Sequence, residues 1–195
     1  RLGLSDISGW VEGMLLGAAI ILASFRIAAL TPAGGVTVFV VVTLAWSLGG
    51  VLWLMPLVAF YALYMATLPK EGKIRADLDE VFPTTVGSML VVLTFGHFGD
   101  AGLFVPYLAT LTASGAIAFS RMAKARGWPT IPLGLSGALT PLVPVMTYET
   151  SLPFLSIALA TVCGIIAFLA LTNTHLAGRR LVASLLAGAV AWATG

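Results

Sequence analysis

Long apolar runs separated by short polar breaks are the feature of this sequence that most restricts its fold. Residues 36–68, "VTVFVVVTLAWSLGGVLWLMPLVAFYALYMATL", contain no charged side chain. Of the 195 residues, 59% are hydrophobic and 9% are charged, whereas a soluble domain is about 25% charged. An apolar run of about 18 residues is long enough to cross the bilayer core, which is about 30 Å thick. The sequence therefore predicts an all-α, polytopic integral membrane protein with a single membrane-embedded helical domain over residues 1–195.

The polar breaks divide this domain into seven or eight predicted transmembrane helices. The glycine pair in "SLGGV" predicts a hinge between the second and third helices. Pro141 and Pro144 predict that the sixth helix is kinked or broken. The longest breaks are a mixed-charge loop over residues 69–83 and a basic loop over residues 120–134. The predicted helices cover residues 10–30, 34–50, 51–68, 84–98, 101–119, 135–148 and 153–172, with an eighth from residue 181 to the end of the chain.

The positions of Lys and Arg predict how the helices are oriented. When successive breaks are assigned alternately to the two membrane faces, nine of the ten basic residues fall on one face. Lys and Arg are concentrated in cytoplasmic loops, so the basic loops are predicted to be cytoplasmic and the N-terminus to lie outside. The net charge of +2 does not indicate a nucleic-acid partner. The nine residues are Arg26, Lys70, Lys73, Arg75, Arg121, Lys124, Arg126, Arg179 and Arg180.

Glu12 is the one acidic residue inside a predicted apolar helix. A charged side chain is costly in the hydrocarbon region and is usually paired or functional. We therefore expect Glu12 to have a partner or a role near the outer end of the first helix.

The stretch "GLSGALTP", residues 134–141, allows three interpretations: a protease nucleophile, a phosphate-binding turn, or a helix-packing surface. Intramembrane serine proteases pair a Ser in a G-x-S-G turn with a His on a later helix, and His175 would be that partner for Ser136. However, His175 lies in a polar break beside two arginines, and no acidic residue near it would orient the ring. The sequence therefore does not favour a protease.

The order of several short motifs along the chain carries a family resemblance. Residues 30–68 contain a Leu-Thr start, a glycine, an apolar helix, a Gly-Gly pair and an aromatic-rich helix that leads into a polar loop. This order resembles the phytyl-phosphate kinase family, the group that includes transmembrane protein 19. The residues that match the pattern are Thr31, Gly34, Gly49, Gly50 and Phe60.

Two later stretches extend the resemblance. The polar loop "RADLDEVFPTT" keeps the family's Arg and Val as Arg75 and Val81, but has Glu80 where the family has Gln. The family's Gly-Thr-Ser/Asn-Gly-Gly-Val-Thr turn is similar to "GLSGALT". The residues that match that turn are Gly134, Ser136, Gly137 and Thr140.

The resemblance implies an enzyme that faces the cytoplasm and transfers a phosphoryl group from CTP to an isoprenoid monophosphate. The backbone N–H groups and hydroxyls of the turn would then cradle a phosphate. Nearby cations would neutralise phosphate or a lipid headgroup. Alternatively, the small residues allow close helix packing, and the cations reflect only the general enrichment of Lys and Arg in cytoplasmic loops. The sequence leaves both interpretations open. The candidate cations are Arg75, Arg121, Lys124 and Arg126.

The acidic motifs of the family are missing. Its fifth helix carries Asp-Thr-x-Ala-Ser-Glu, whereas this chain, aligned on Ala118, reads "GAIAFS", with Gly115 for the Asp and Ser120 for the Glu. A second motif, Asp-Ser-Leu-Leu-Gly-Ala, corresponds to "ASLLAGA", with Ala183 for the Asp. Phosphoryl transfer needs carboxylates that hold Mg²⁺ against the phosphates. We therefore expect no cofactor and no metal site, and an active enzyme would need Mg²⁺ and CTP.

One acidic cluster lies on the predicted cytoplasmic side and could supply relocated carboxylates. It consists of Asp77, Asp79 and Glu80. The interpretation that we favour is a solvated loop whose acids pair with the neighbouring Lys and Arg.

Three functions follow, in order of preference. The first is a non-catalytic membrane subunit or scaffold with an isoprenoid-phosphate-kinase-like fold that binds membrane lipid and other membrane proteins. The second is an active CTP-dependent phytyl- or polyprenyl-phosphate kinase. The third is a small membrane transporter, which the lack of an internal repeat and of intramembrane charge disfavours.

Overall fold

The computed structural model describes residues 4–26, 31–67, 78–148 and 154–172. Within these ranges the regular elements are seven α-helices and one 3₁₀ turn, and there is no strand, which confirms the all-α prediction. The helices are α1 (Leu4–Arg26), α2 (Pro32–Thr67), α3 (Leu78–Phe98), α4 (Phe104–Ala125), α5 (Thr130–Leu139), α6 (Leu142–Tyr148) and α7 (Phe154–Thr172), and the 3₁₀ turn Ala101–Leu103 precedes α4.

Three of the described helical stretches are long and apolar enough to cross a membrane. They are Ile7–Arg26, Pro32–Met65 and Ala101–Lys124. This length and composition agree with the prediction of a membrane protein. The eighth predicted helix, from residue 181, lies outside the described residues.

Helix α2 is broken at Gly50, where the backbone has φ 70° and ψ −161°. Glycine adopts a positive φ at little cost because it has no Cβ. A straight helix of 36 residues would be about 54 Å long, well beyond the bilayer core of about 30 Å. The break divides α2 into two segments and confirms the hinge that the "LGG" sequence predicts.

The outer helix α1 packs on the first segment of α2 through glycines. The Thr43 hydroxyl donates a hydrogen bond to the Gly13 carbonyl at 3.3 Å, and the Ser47 hydroxyl donates one to the Gly9 carbonyl at 3.2 Å. Small residues at four-residue spacing allow such close approach of helices in membranes. Beside them, the Trp46 indole N–H donates a hydrogen bond to the Glu12 carboxylate at 3.3 Å, which confirms that Glu12 has a partner.

Helix α4 is the central helix of the fold and packs against α2, α3, α5 and α7. Every residue from 106 to 119 is buried, whereas a surface helix has only one buried face. At its start, Trp53 packs against Phe95, Phe104 and Tyr107, with ring centroids 4.5, 5.4 and 4.8 Å away. The Tyr107 hydroxyl donates a hydrogen bond to the Trp53 carbonyl, three residues beyond the Gly50 break. These contacts hold the middle of α2 against α4.

Several predicted helix boundaries are wrong. Helix α1 begins six residues earlier than predicted, and α3 begins at Leu78 rather than at residue 84. Asp79 and Glu80 therefore lie in the first turn of α3 and not in a loop. Acidic residues in a first turn interact favourably with the helix dipole, which accounts for the earlier start of α3.

The basic loop predicted over residues 120–134 is mostly helical. Helix α4 continues to Ala125, α5 begins at Thr130, and only residues 126–129 separate them. Arg and Lys are good helix formers, and cations in a last turn favour the helix dipole. By contrast, the break predicted in the sixth helix is confirmed, because α5 and α6 are separated at Thr140 and Pro141.

Candidate functional site at the junction of α4 and α5

Most of the predicted site residues lie on α4 and α5, along the contact between these two helices. The candidate cations Arg121, Lys124 and Arg126 lie at the end of α4, and the glycine-serine stretch lies in α5. Asp79 and Glu80 lie at the start of α3 instead. Arg75, Asp77, His175 and Ala183 lie outside the described residues.

The two helices touch backbone to backbone at Gly115 and Gly137. A Cβ added at Gly115 would overlap the Gly137 carbonyl oxygen, and a Cβ added at Gly137 would overlap the Gly115 carbonyl oxygen. Neither position has room for any side chain. Gly115 is the position at which the resembled family carries its first acidic residue, so the α4–α5 contact occupies the place where that carboxylate would begin.

Ser120 is used for packing as well. Its hydroxyl donates a hydrogen bond to the Thr130 carbonyl at 3.2 Å, which ties the last turns of α4 to the first residue of α5. Thr130 lies beside Ser120 and Gly137 beside Gly115. The two helices therefore run antiparallel.

The phosphate-binding turn predicted in "GLSGALT" is wrong as a local geometry. Gly134, Ser136 and Gly137 lie inside α5, which begins at Thr130. Backbone N–H groups inside a helix bond to carbonyls four residues earlier, so they cannot form the open cradle that an anion needs. The Ser136 hydroxyl donates to the Pro132 carbonyl and the Thr140 hydroxyl to the Ser136 carbonyl, both at 2.9 Å.

The cations form a second part of the junction. Arg121 and Lys124 are exposed, and Arg126 is half-buried. The Arg126 guanidinium lies 4.7 Å from the centre of the Trp128 ring, a cation–π contact. Trp128 is 46% exposed, and Ile131, the second residue of α5, is 60% exposed.

A glycine cap sets the position of Trp128. Gly127 has φ 68°, its N–H bonds to the Lys124 carbonyl at 3.3 Å, and the Trp128 N–H bonds to the Ala123 carbonyl at 2.8 Å. This pair of bonds is a Schellman motif, in which a left-handed glycine ends a helix. Gly127 and Trp128 are not among the residues predicted from the sequence, although a glycine after a basic helix end is the usual signal for such a cap.

Metal ligands are not gathered in the described part of the chain. Among those residues, no group of three or more His, Cys, Asp or Glu side chains could hold a metal ion. Asp100 caps the 3₁₀ turn by accepting a hydrogen bond from the Gly102 N–H at 2.9 Å.

Comparison of the chain with protein-family models, with curated proteins and with solved structures gave no match. The resemblance to the phytyl-phosphate kinase family therefore remains a prediction from motifs.

Proposed function

We propose that this protein is a non-catalytic membrane subunit or scaffold that has an isoprenoid-phosphate-kinase-like fold. The observation that carries this proposal is the contact of Gly115 with the Gly137 carbonyl. In the resembled family the equivalent of Gly115 is an Asp that holds Mg²⁺. Here a carboxylate could be placed only if α4 and α5 moved apart, because even the first side-chain carbon overlaps backbone.

The other acidic position of that motif has a structural role too. The Ser120 hydroxyl holds the Thr130 carbonyl, so both positions serve helix packing. Without carboxylates, Mg²⁺ loses the ligands that it needs to stabilise transferring phosphoryl groups. Losing these ligands removes several kcal/mol of charge stabilisation. Each loss of about 1.4 kcal/mol slows the reaction about tenfold.

The proposal includes a membrane topology. We propose seven or eight crossings, basic loops in the cytoplasm and the N-terminus outside. Asp100 would then face outward, and Arg126 would face the cytoplasm. The only cysteine, Cys163, is buried. Single cysteines at positions 100 and 126 in a Cys163→Ala background would therefore report which face each position occupies. Labelling of both positions from the same side would contradict this topology.

A scaffold needs surfaces for partners, and the outer helices offer apolar faces. Along α1, several large apolar side chains are exposed. We propose that membrane lipid covers part of this surface and that other membrane subunits cover the rest. The exposed apolar residues of α1 are Ile7, Val11, Met14, Leu15, Leu22 and Phe25.

The alternative is an active CTP-dependent phytyl- or polyprenyl-phosphate kinase with relocated acids. Asp77, Asp79 and Glu80 are its candidate Mg²⁺ ligands. A further alternative, a small transporter, would predict substrate-dependent flux in vesicles.

Nucleotide binding separates the first two functions. The purified protein in detergent is titrated with CTP and Mg²⁺, with and without an isoprenyl phosphate, beside a relative that carries the family's acidic motif. We expect saturable binding to the relative and none to this protein. Saturable, Mg²⁺-dependent binding that is lost in an Asp79→Asn/Glu80→Gln variant would establish the kinase instead.

A further inference from the structure

The end of α4 and the start of α5 form a positively charged corner with an aromatic edge. We define this basic corner by Arg121, Lys124, Arg126, Trp128 and Ile131. Its three cations lie within six residues of one another. No acidic residue occurs in residues 101–148, so the chain from the 3₁₀ turn to the end of α6 has basic charge only.

The residue types of the basic corner are those found at the level of lipid headgroups. It lies at the end of the candidate membrane span Ala101–Lys124, and Trp128 is half exposed beneath the Arg126 guanidinium. Trp and Tyr concentrate at membrane–water interfaces, where one end of the ring is apolar and the other meets polar groups. Because the Gly127 cap sets the backbone position of Trp128, the contact between its ring and the Arg126 guanidinium belongs to the fold of the helix end.

An apolar strip leads from the corner into the membrane. Ile131, Leu135 and Leu139 are 60%, 36% and 50% exposed, and their four-residue spacing places them on one face of α5. Because α5 runs antiparallel to α4, the strip runs back towards the middle of the span. Its length is about 12 Å, close to the depth of one bilayer leaflet core, about 15 Å.

We propose that the basic corner binds the headgroup of an anionic phospholipid of the surrounding bilayer, with one acyl chain along the strip of Ile131, Leu135 and Leu139. Phosphate oxygens suit the charge and donor geometry of Arg and Lys, and the strip matches an acyl chain in polarity and length. This inference rests on the membrane location proposed above, but not on the absence of catalysis.

The test uses the full chain in nanodiscs that contain equal amounts of phosphatidylglycerol and phosphatidylcholine. The protein is extracted again in mild detergent, and the lipid that it retains is measured by mass spectrometry. We expect the wild type to retain phosphatidylglycerol in preference to phosphatidylcholine. Each cation near an anionic lipid contributes roughly fivefold, so Arg121→Gln/Lys124→Gln/Arg126→Gln should lower that preference by at least about tenfold.

Two controls separate the corner from general electrostatics. Arg26 is exposed at the end of α1, so Arg26→Gln removes a cation of the same kind outside the corner and should leave the preference unchanged. Arg126→Lys alone keeps the charge of the corner and should retain most of the wild-type preference. Helicity measured by circular dichroism shows whether each variant is folded.

The outcomes are distinguishable. Equal retention of the two lipids by folded, inserted wild type would overturn the lipid site and leave the membrane location intact. An equal loss in Arg26→Gln would also overturn it, because the preference would then reflect net charge. Displacement of the lipid by excess inorganic phosphate would assign the corner to free phosphate instead. Failure of the wild type to insert into bilayers would contradict the membrane location itself.

Discussion

Two glycine-mediated helix contacts in this molecule look alike in sequence but differ in what the glycines touch. In the α1–α2 contact, a Cβ added at Gly17 would lie 2.9 Å from a ring carbon of Phe39 and 3.2 Å from the Thr43 hydroxyl, both side-chain atoms. In the α4–α5 contact, a Cβ at Gly115 would overlap the Gly137 carbonyl. Gly13 in α1 also lies near backbone, but an added Cβ there would be 3.0 Å from the Thr43 carbonyl oxygen rather than overlapping it. Side chains can shift and main chain cannot without moving a helix, so Gly115 is much less tolerant of change than Gly17.

The largest effect is therefore expected from Gly115→Ala. The added methyl forces α4 and α5 apart, and overpacking of a close-packed contact costs typically 1–3 kcal/mol. We expect a loss near the upper end, about 3 kcal/mol, in the free energy of unfolding measured by titration with denaturing detergent. A loss below about 0.5 kcal/mol would show that the two backbones are not in contact.

Gly17→Ala should have an intermediate effect. Phe39 is only partly buried and can move by a few tenths of an ångström, so we expect a loss of about 1 kcal/mol. Measured in the same titration, a loss equal to that of Gly115→Ala would remove the distinction between the two contacts.

The hydroxyl bonds that accompany the two contacts should contribute equally. Ser120 in the α4–α5 contact and Ser47 in the α1–α2 contact each donate to a backbone carbonyl at 3.2 Å. Such bonds between membrane helices contribute about 0.6 kcal/mol on average. We expect this loss in both Ser120→Ala and Ser47→Ala. Unequal losses would assign part of the difference between the contacts to hydrogen bonding rather than to backbone packing.

Gly9→Ala should have the smallest effect and serves as the matched control. The nearest atom to an added Cβ is the Ser47 carbonyl oxygen at 4.0 Å, an ordinary contact. Because Ala is a better helix former than Gly by up to about 1 kcal/mol, the stability should stay the same or rise slightly. A marked loss would mean that glycine substitution in α1 is harmful for reasons other than space.

The sequence could predict the helices but not all of their ends. Unbroken apolar runs gave α7 to within one residue of its start, and the glycine pair and prolines located the breaks at Gly50 and Pro141. The ends of α4 and α5 were wrong because charged residues suggested a loop, whereas Arg121 and Lys124 continue the helix up to the cap at Gly127. Charge indicates exposure, and an exposed residue can still be helical.

The candidate site shows the same limit. The sequence singled out Gly115 and Ser120 as positions where the resembled family has acids, and it left open whether Gly137 binds phosphate or packs helices. A one-dimensional pattern cannot show that residues 22 positions apart are in contact, because that depends on how α5 folds back along α4. In the folded chain these two glycines are in backbone contact.

Composition and charge placement by themselves determined that this chain is helical and apolar enough for a membrane, because backbone groups in a bilayer must be satisfied internally. The absence of the resembled family's acidic residues was equally visible in the sequence. Only the tertiary structure decided what Gly115 and Ser120 do, because both join α4 to α5. It also placed Trp128 against Arg126. Both results follow from the approach of two antiparallel helices, which is a property of packed surfaces and not of either segment alone.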